Sequence, residues 1–228
     1  MSTCRLPLLL AGFSALAFSH TSSADAVGVN VGVFNGIAVE YHKAFRPTLN
    51  ARLALTTMPV DVDMDEDDIK YKAEIDKDNF GVLLDWHPFS GSFRVTGGLY
   101  LGDHDWLMSA KANNGEYDIG DNTYQSNDLK LEGDIRFNQS TPYLGIGWGN
   151  TLGEKGLSMS VDLGVLMTGS PTVDYEASGT IYSGGIYVDV GNDPTFQADL
   201  EKERQQLEED LEDLEWMPVL SLGVIYAF

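Results

Sequence analysis

The chain has 228 residues, 35 Asp and Glu against 14 Lys and Arg for a formal net charge of −21, and 43% hydrophobic residues. A sequence pI near 4.2 excludes a nucleic-acid binder, which needs clustered Lys and Arg for phosphate. Beyond residue 20 no apolar run reaches the roughly 20 residues of a membrane-spanning helix, and 11% aromatic residues with 24 glycines speak against disorder.

Arg5 supplies a positive start, and Leu6 to Phe18 an apolar stretch of signal-peptide length. Ala24-Asp25-Ala26 then reads as a small-x-small cleavage site, so residues 1–26 are expected to be a signal peptide, with a cut after Ala24 as second choice. Cys4, the only cysteine, precedes the apolar stretch and cannot be a lipoprotein's lipidated cysteine. The exported chain must hold together without disulfides.

From Val27 onward the chain alternates with period two. Val27, Val29, Val31 and Val33 alternate with Gly28, Asn30 and Gly32 before Asn35-Gly36, a dipeptide that favours a type I′ hairpin turn. Leu157 to Met167 is apolar at every odd position, and Pro218, Leu220, Leu222, Val224, Tyr226 and Phe228 share one face at the end of the chain. The pattern predicts eight strands at 27–34, 37–45, 48–58, 69–86, 92–108, 129–150, 157–169 and 216–228. Within 69–86 and 129–150 the apolar parity slips once, near Asp76 to Asn79 and near Asn138 to Pro142, where a bulge or break is expected.

Alternation alone admits a soluble β-sandwich as readily as a membrane barrel. Three features favour the barrel. Connections alternate between short ones (45–48, 88–91, 151–156) and long polar ones (59–68, 109–128, 170–215), as in outer-membrane barrels. Tyr41, Phe45, Trp86, Phe89, Phe93, Trp106, Trp148, Trp216, Tyr226 and Phe228 collect near strand ends like two interfacial girdles. The sequence also ends on an apolar strand whose open edge a soluble domain would have to protect. The expected fold is therefore all-β, an eight-stranded antiparallel transmembrane β-barrel over 27–228, with a soluble periplasmic β-protein as the alternative.

The sequence also resembles bacterial outer-membrane β-barrel proteins of the OmpA and OmpW type. Val219 to Phe228 looks like their C-terminal assembly signal, with Leu222, Val224, Tyr226 and the terminal Phe228 as the residues the barrel-insertion machinery would read. Leu84 to Phe89, Pro142 to Asn150, Asp162 to Leu166 with Gly169-Ser170-Pro171, and Phe196 to Leu200 are similar to a small Gram-negative family known simply as outer membrane protein. The resemblance covers most of the mature chain and implies an outer-membrane location without implying a chemistry or a cofactor.

Eight strands enclose an interior that side chains can fill, whereas open porins need about 16 to 18. Glu40, Arg52, Asp85, Arg94 and Asp162, on the non-apolar faces, are expected to form a polar plug of the lumen. A narrow path for small solutes is the alternative. Residues 170–215 read as one long acidic extracellular loop. Val173 to Val188 around Ser183-Gly184-Gly185 makes either a hairpin above the membrane or two more spanning strands; Asp174, Glu176 and Asp189 favour the hairpin. A helix over 194–215 comes next, capped by Asp193, with Phe196, Leu200, Leu207, Leu211 and Leu214 on one stripe. That stripe suits the barrel mouth, and the seven-residue spacing of Leu200, Leu207 and Leu214 leaves a dimer open beside the expected monomer.

Asp61 to Asp68 invites a calcium reading with Asp63, Asp65 and Asp67 as ligands, but Asp68 stands where an EF-hand loop turns on Gly, so no dedicated metal site is expected. Lipid A chemistry would need a His and a hydroxyl nucleophile at the outer end. His104, between Asp103 and Asp105 with Ser109 beyond, is the one candidate, and no catalytic site is expected. The expected partners are outer-membrane lipid, lipopolysaccharide and the barrel-assembly machinery.

Overall fold

The computed structural model describes residues 25–33, 35–58, 60–66, 69–102, 105–112, 115–149 and 155–228. The expected signal peptide through Ala24, with Cys4, lies outside these residues, as do Asp67, Asp68, Asp103 and His104. In chain order the strands are β1 (Asp25–Val33), β2 (Gly36–Arg46), β3 (Leu49–Thr57), β4 (Val60–Glu66), β5 (Ile69–Asp76), β6 (Asp78–Trp86), β7 (Phe93–Gly102), β8 (Asp105–Ala112), β9 (Gly115–Ile119) and β10 (Asn122–Ser126). Then come β11 (Lys130–Arg136), β12 (Ser140–Trp148), β13 (Gly156–Met167), β14 (Thr172–Ser178), β15 (Thr180–Ser183), β16 (Ile186–Asp189), the helix α1 (Pro194–Asp210) and β17 (Trp216–Ala227).

Eight strands close into a barrel in the order β1-β17-β13-β12-β7-β6-β3-β2, every neighbour antiparallel. The seam between first and last strands pairs Val29 with Val224 and Val31 with Leu222. Strands from residues 170–190 do not enter the barrel, which settles eight over ten. Along β6, β12 and β17 every second residue is buried, because a strand sends alternate side chains to opposite faces. The exposed set is the apolar one: Val31 is 60% and Leu222 57% exposed. A continuous apolar belt of this kind is a lipid-facing surface. Short turns lie at the end where β1 starts and β17 finishes, and there the Phe228 N–H donates to the Asp25 carbonyl at 2.9 Å. Phe93 packs on Trp148 and Phe89 at that end. Trp106 does not join a girdle; it turns inward onto Phe137, ring centroids 5.1 Å apart.

The segments 69–86, 92–108 and 129–150, read as single strands, are each two. β5, β8 and β11 continue β6, β7 and β12 beyond the barrel and, with β4 and β14, form a second sheet in the order β14-β11-β8-β5-β4. Much of the expected loop 59–68 is therefore strand, and β9 and β10 pair as a hairpin within 109–128. Side-chain direction runs through the break between β11 and β12 unchanged, while the chemistry reverses. The buried odd positions are Thr141, Tyr143, Gly145 and Gly147 in β12 but Leu131, Gly133 and Ile135 in β11. The outward even positions change from Pro142, Leu144 and Ile146 to Lys130, Glu132 and Asp134. The parity slip near Asn138 to Pro142 thus marks where water replaces lipid outside and an apolar core replaces the polar lumen inside. The segments 58–77, 103–139 and 170–215 hold 29 of the 35 acidic and eight of the 14 basic residues, so they carry the whole net charge of −21.

Two apolar clusters hold this outer part in place. Leu83, Tyr100, Tyr143 and Leu166, in the long-loop half of the lumen, belong to one cluster with Ile135, Phe137 and Val173 of the outer sheet, and Leu207, Leu211 and Leu214 pack on it. Phe196 and Leu200 enter the other, with Tyr117, Ile119, Leu129, Ile181 and Val190. Asp193 caps α1 by accepting from the Thr195 and Phe196 N–H groups, with Pro194 in the first turn. The α-helix stops at Asp210 and a 3-10 turn covers 212–215, short of the single helix expected over 194–215. The leucine stripe is used within the chain.

Candidate functional site: the barrel lumen

The polar lumen is built by inward positions of six strands. Glu40 and His42 come from β2, Arg52 from β3, Asp85 from β6, Arg94 and Thr96 from β7, Asp162 from β13, and Gly147 of β12 leaves room beside them. The structure brings Glu40, Arg52, Asp85, Arg94 and Asp162 into one network, each nearly or fully buried.

Arg52 is the hub. Its Nη1 donates to Glu40 Oε1 at 3.3 Å and Asp162 Oδ2 at 3.4 Å, and its Nη2 to Asp85 Oδ1 at 3.1 Å and Thr96 Oγ1 at 3.4 Å. Arg94 Nη2 donates to both Asp162 oxygens, at 2.8 and 2.7 Å. Thr96 Oγ1 donates to Asp85 Oδ1 at 2.7 Å. Three carboxylates meet two guanidiniums, with His42 Nε2 3.2 Å from Glu40 Oε2. Charges buried this deeply are tolerable only when paired and hydrogen-bonded; Arg52–Glu40 and Arg52–Asp85 join adjacent strands, while Arg52–Asp162 and Arg94–Asp162 tie strands that are not neighbours in the sheet.

Nearer the short-turn end, His87 Nδ1 lies 2.8 Å from the Gly91 carbonyl and its Nε2 3.5 Å from Asn50 Nδ2. Sequence reasoning left His42 and Thr96 out of the network, although each shares the parity of a predicted member, Glu40 and Arg94. At the other end, Gly145 and Gly164 clear the space that the Tyr143 ring occupies, and Tyr143 meets Tyr100 edge to face at 5.9 Å. This apolar layer is continuous with the core of the outer sheet.

Leu222, Val224, Tyr226 and Phe228 all lie on the exposed outer face of the last strand. Asp63 and Asp65 stand in β4, paired in register with Lys72 and Lys70, where the sequence led one to expect a loop. Asp67 and His104 are not among the described residues. Outside the barrel, the β9–β10 hairpin is clipped to α1. Tyr124 Oη and Asn122 Nδ2 donate to Asp199 Oδ2 at 2.5 and 2.6 Å, and the Gly120 N–H to Glu203 Oε2 at 3.1 Å. These donors hold the Asp199 carboxyl below its usual range.

No protein-family model matches the chain, and no curated protein matches it. Among solved structures it is similar to CarO from Acinetobacter baumannii, with a TM-score of 0.60 at 18% identity over 90% of this chain and 98% of that one. The fold is that of an outer-membrane β-barrel protein. It is also similar to CarO2 from the same organism, with a TM-score of 0.62 at 17% identity over 90% of this chain and 98% of that one. The likeness is one of barrel fold and does not bear on the OmpA or OmpW type that the sequence resembles.

Proposed function

We propose that the chain is exported to the outer membrane of a Gram-negative bacterium and acts there as a closed, non-enzymatic barrel. It carries an acidic sheet and helix on the cell surface and contributes to envelope integrity or surface interaction. The observation that carries this reading is a cross-wall ion network beneath an apolar layer that runs on into the outer sheet. A pore would have to break both. The asymmetry of charge supports the orientation, because a part holding the entire net charge of −21 belongs in water, and long connections of such barrels face outward from the cell. The described histidines are engaged in the lumen, His42 beside Glu40 and His87 with Gly91 and Asn50, which supports a structural role for both. Lipid and lipopolysaccharide would surround the belt, and the assembly machinery would read Leu222, Val224, Tyr226 and Phe228.

The test is heat-modifiability of the membrane fraction on gel electrophoresis, followed by conductance in planar bilayers, with a version lacking Tyr226 to Phe228 as assembly control. The expected result is a fast-migrating unboiled band, lost in the truncation, and no sustained conductance. Steady conductance would replace the closed barrel by the narrow-path reading, and a soluble periplasmic product would overturn the membrane assignment.

A further inference from the structure

The outer part carries one ordered aromatic feature that its own core does not absorb. On the β15–β16 hairpin Tyr182 and Tyr187 stand directly opposite each other, ring centroids 5.4 Å apart, and are 48% and 53% exposed. The opposite face of the hairpin is anchored, since Ile181 is fully buried in the second apolar cluster. Ser126 Oγ donates to the Thr180 carbonyl at 2.6 Å, the Val190 N–H to the Gly179 carbonyl at 3.1 Å, and Asn127 Nδ2 to the Tyr187 hydroxyl at 2.8 Å. Gly184 and Gly185, at φ +61° and +93°, make the turn. The ring pair is therefore preorganised, and a partner would lose little freedom in ordering it.

Charge identifies the partner. The row next to the tyrosines pairs Thr180 with Asp189, and Asp128 accepts from Thr180 Oγ1 at 2.8 Å. No Lys or Arg occurs between Lys155 and Lys202, and Lys130, opposite Ser178 in the sheet, is paired with Glu132. A neutral aromatic platform inside a strongly acidic field attracts cations by two additive routes, the ring quadrupole and long-range steering. Tyr is also among the residues that anchor interfaces most strongly, and Arg is its frequent counterpart.

We propose that the Tyr182–Tyr187 face is a docking site for a basic polypeptide segment, an Arg side chain lying against the rings while Asp128 and Asp189 meet its neighbours. This rests on the reading that the acidic part is displayed in water on a closed barrel. A second copy of this chain would be repelled by its own charge, and a neutral saccharide would gain nothing from the acidic field.

The test is binding of a fluorescent polyarginine peptide, against a glutamine peptide of equal length, to the folded protein in vesicles of zwitterionic lipid at about 0.15 M ionic strength. The expected result is that Tyr182→Ala with Tyr187→Ala weakens arginine-peptide binding about tenfold, while Tyr182→Phe with Tyr187→Phe retains it and Ser183→Lys at the hairpin tip weakens it. Heat-modifiability, read on every variant, separates loss of the site from loss of the barrel. Equal binding by wild type and the alanine pair would reduce the attraction to a general field and overturn the site. Failure of the folded wild type to bind the peptide would overturn the proposal and leave the closed barrel standing.

Discussion

Arg94 Nη2 grips both carboxylate oxygens of Asp162 across the lumen, at 2.8 and 2.7 Å, although β7 and β13 are separated in the barrel by β12. The pair is thus a strut between non-adjacent strands. Removing one partner strands the other: Arg94→Ala leaves Asp162 short of its strongest donor in a buried site, which should cost about 3–5 kcal/mol. Replacing both partners with apolar residues, Arg94→Met with Asp162→Leu, removes the uncompensated charge and should recover much of that loss. Urea unfolding from lipid vesicles measures both, and equal losses in the single and double variants would show that the pair acts only by filling space.

The strut passes over Gly147 of the intervening strand. A Cβ there would lie 2.7 Å from Asp162 Oδ1 and 2.9 Å from Arg94 Nε, so the glycine is required by the approach of the ion pair and not by backbone conformation. Gly147→Ala should destabilise the barrel by about 1–3 kcal/mol, the usual range for overpacking. In Arg94→Ala the same substitution should cost less, because one of the two obstructing side chains is gone and Asp162 is released from the ion pair that holds it over the glycine. A double-mutant cycle on these two residues measures the difference.

Much of the architecture was legible in the alternation because a barrel wall has one lipid-facing and one lumen-facing side throughout. All eight barrel strands were found this way, and Arg52, Asp85, Arg94 and Glu40 share the parity that points inward. The outer sheet was not legible, because period two reports alternation but not which face meets which solvent. Across Lys130 to Trp148 the apolar set switches parity while every side chain keeps its direction, so the pattern reads as a defect. Asp61, Asp63 and Asp65 looked like loop residues because acidic residues are rare in strands, yet the register of β4 with β5 sets Lys72 opposite Asp63 and Lys70 opposite Asp65. Trp106 passed for a girdle residue because sequence position places it near a strand end without telling inside from outside.

The clip between the β9–β10 hairpin and α1 should fail in acid. Tyr124 and Asn122 stabilise the charged form of Asp199 and lower its pKa in the fold from an ordinary value of 3.8. A depressed carboxylate contributes stability that is complete above the unfolded value and is lost as pH falls through the folded one. The hairpin should therefore resist an acid protease at about pH 4 and become cleavable only as the pH falls below that. Asp199→Asn should be cleavable across the whole range, with the pH dependence gone. Cleavage of wild type that begins at higher pH would assign the hairpin's attachment to other groups.

The start of β1 bears on processing. Asp25 Oδ1 accepts from Lys43 Nζ at 2.9 Å, its Oδ2 accepts from the Tyr41 hydroxyl at 3.0 Å, and its carbonyl accepts from the Phe228 N–H. Ala26 is fully buried and pairs with Ala227. A cut after Ala26 would remove all of these contacts from the closing seam, whereas a cut after Ala24 keeps every one, and Ser22 and Ala24 still supply small residues at the cleavage positions. Intact mass of the protein purified from membranes should therefore begin at Asp25, and Asp25→Ala should lower the temperature at which the fast-migrating band converts. A mass beginning at Val27 would mean that the seam closes without the Asp25 pairs, and Asp25→Ala would then have no effect on the mature protein.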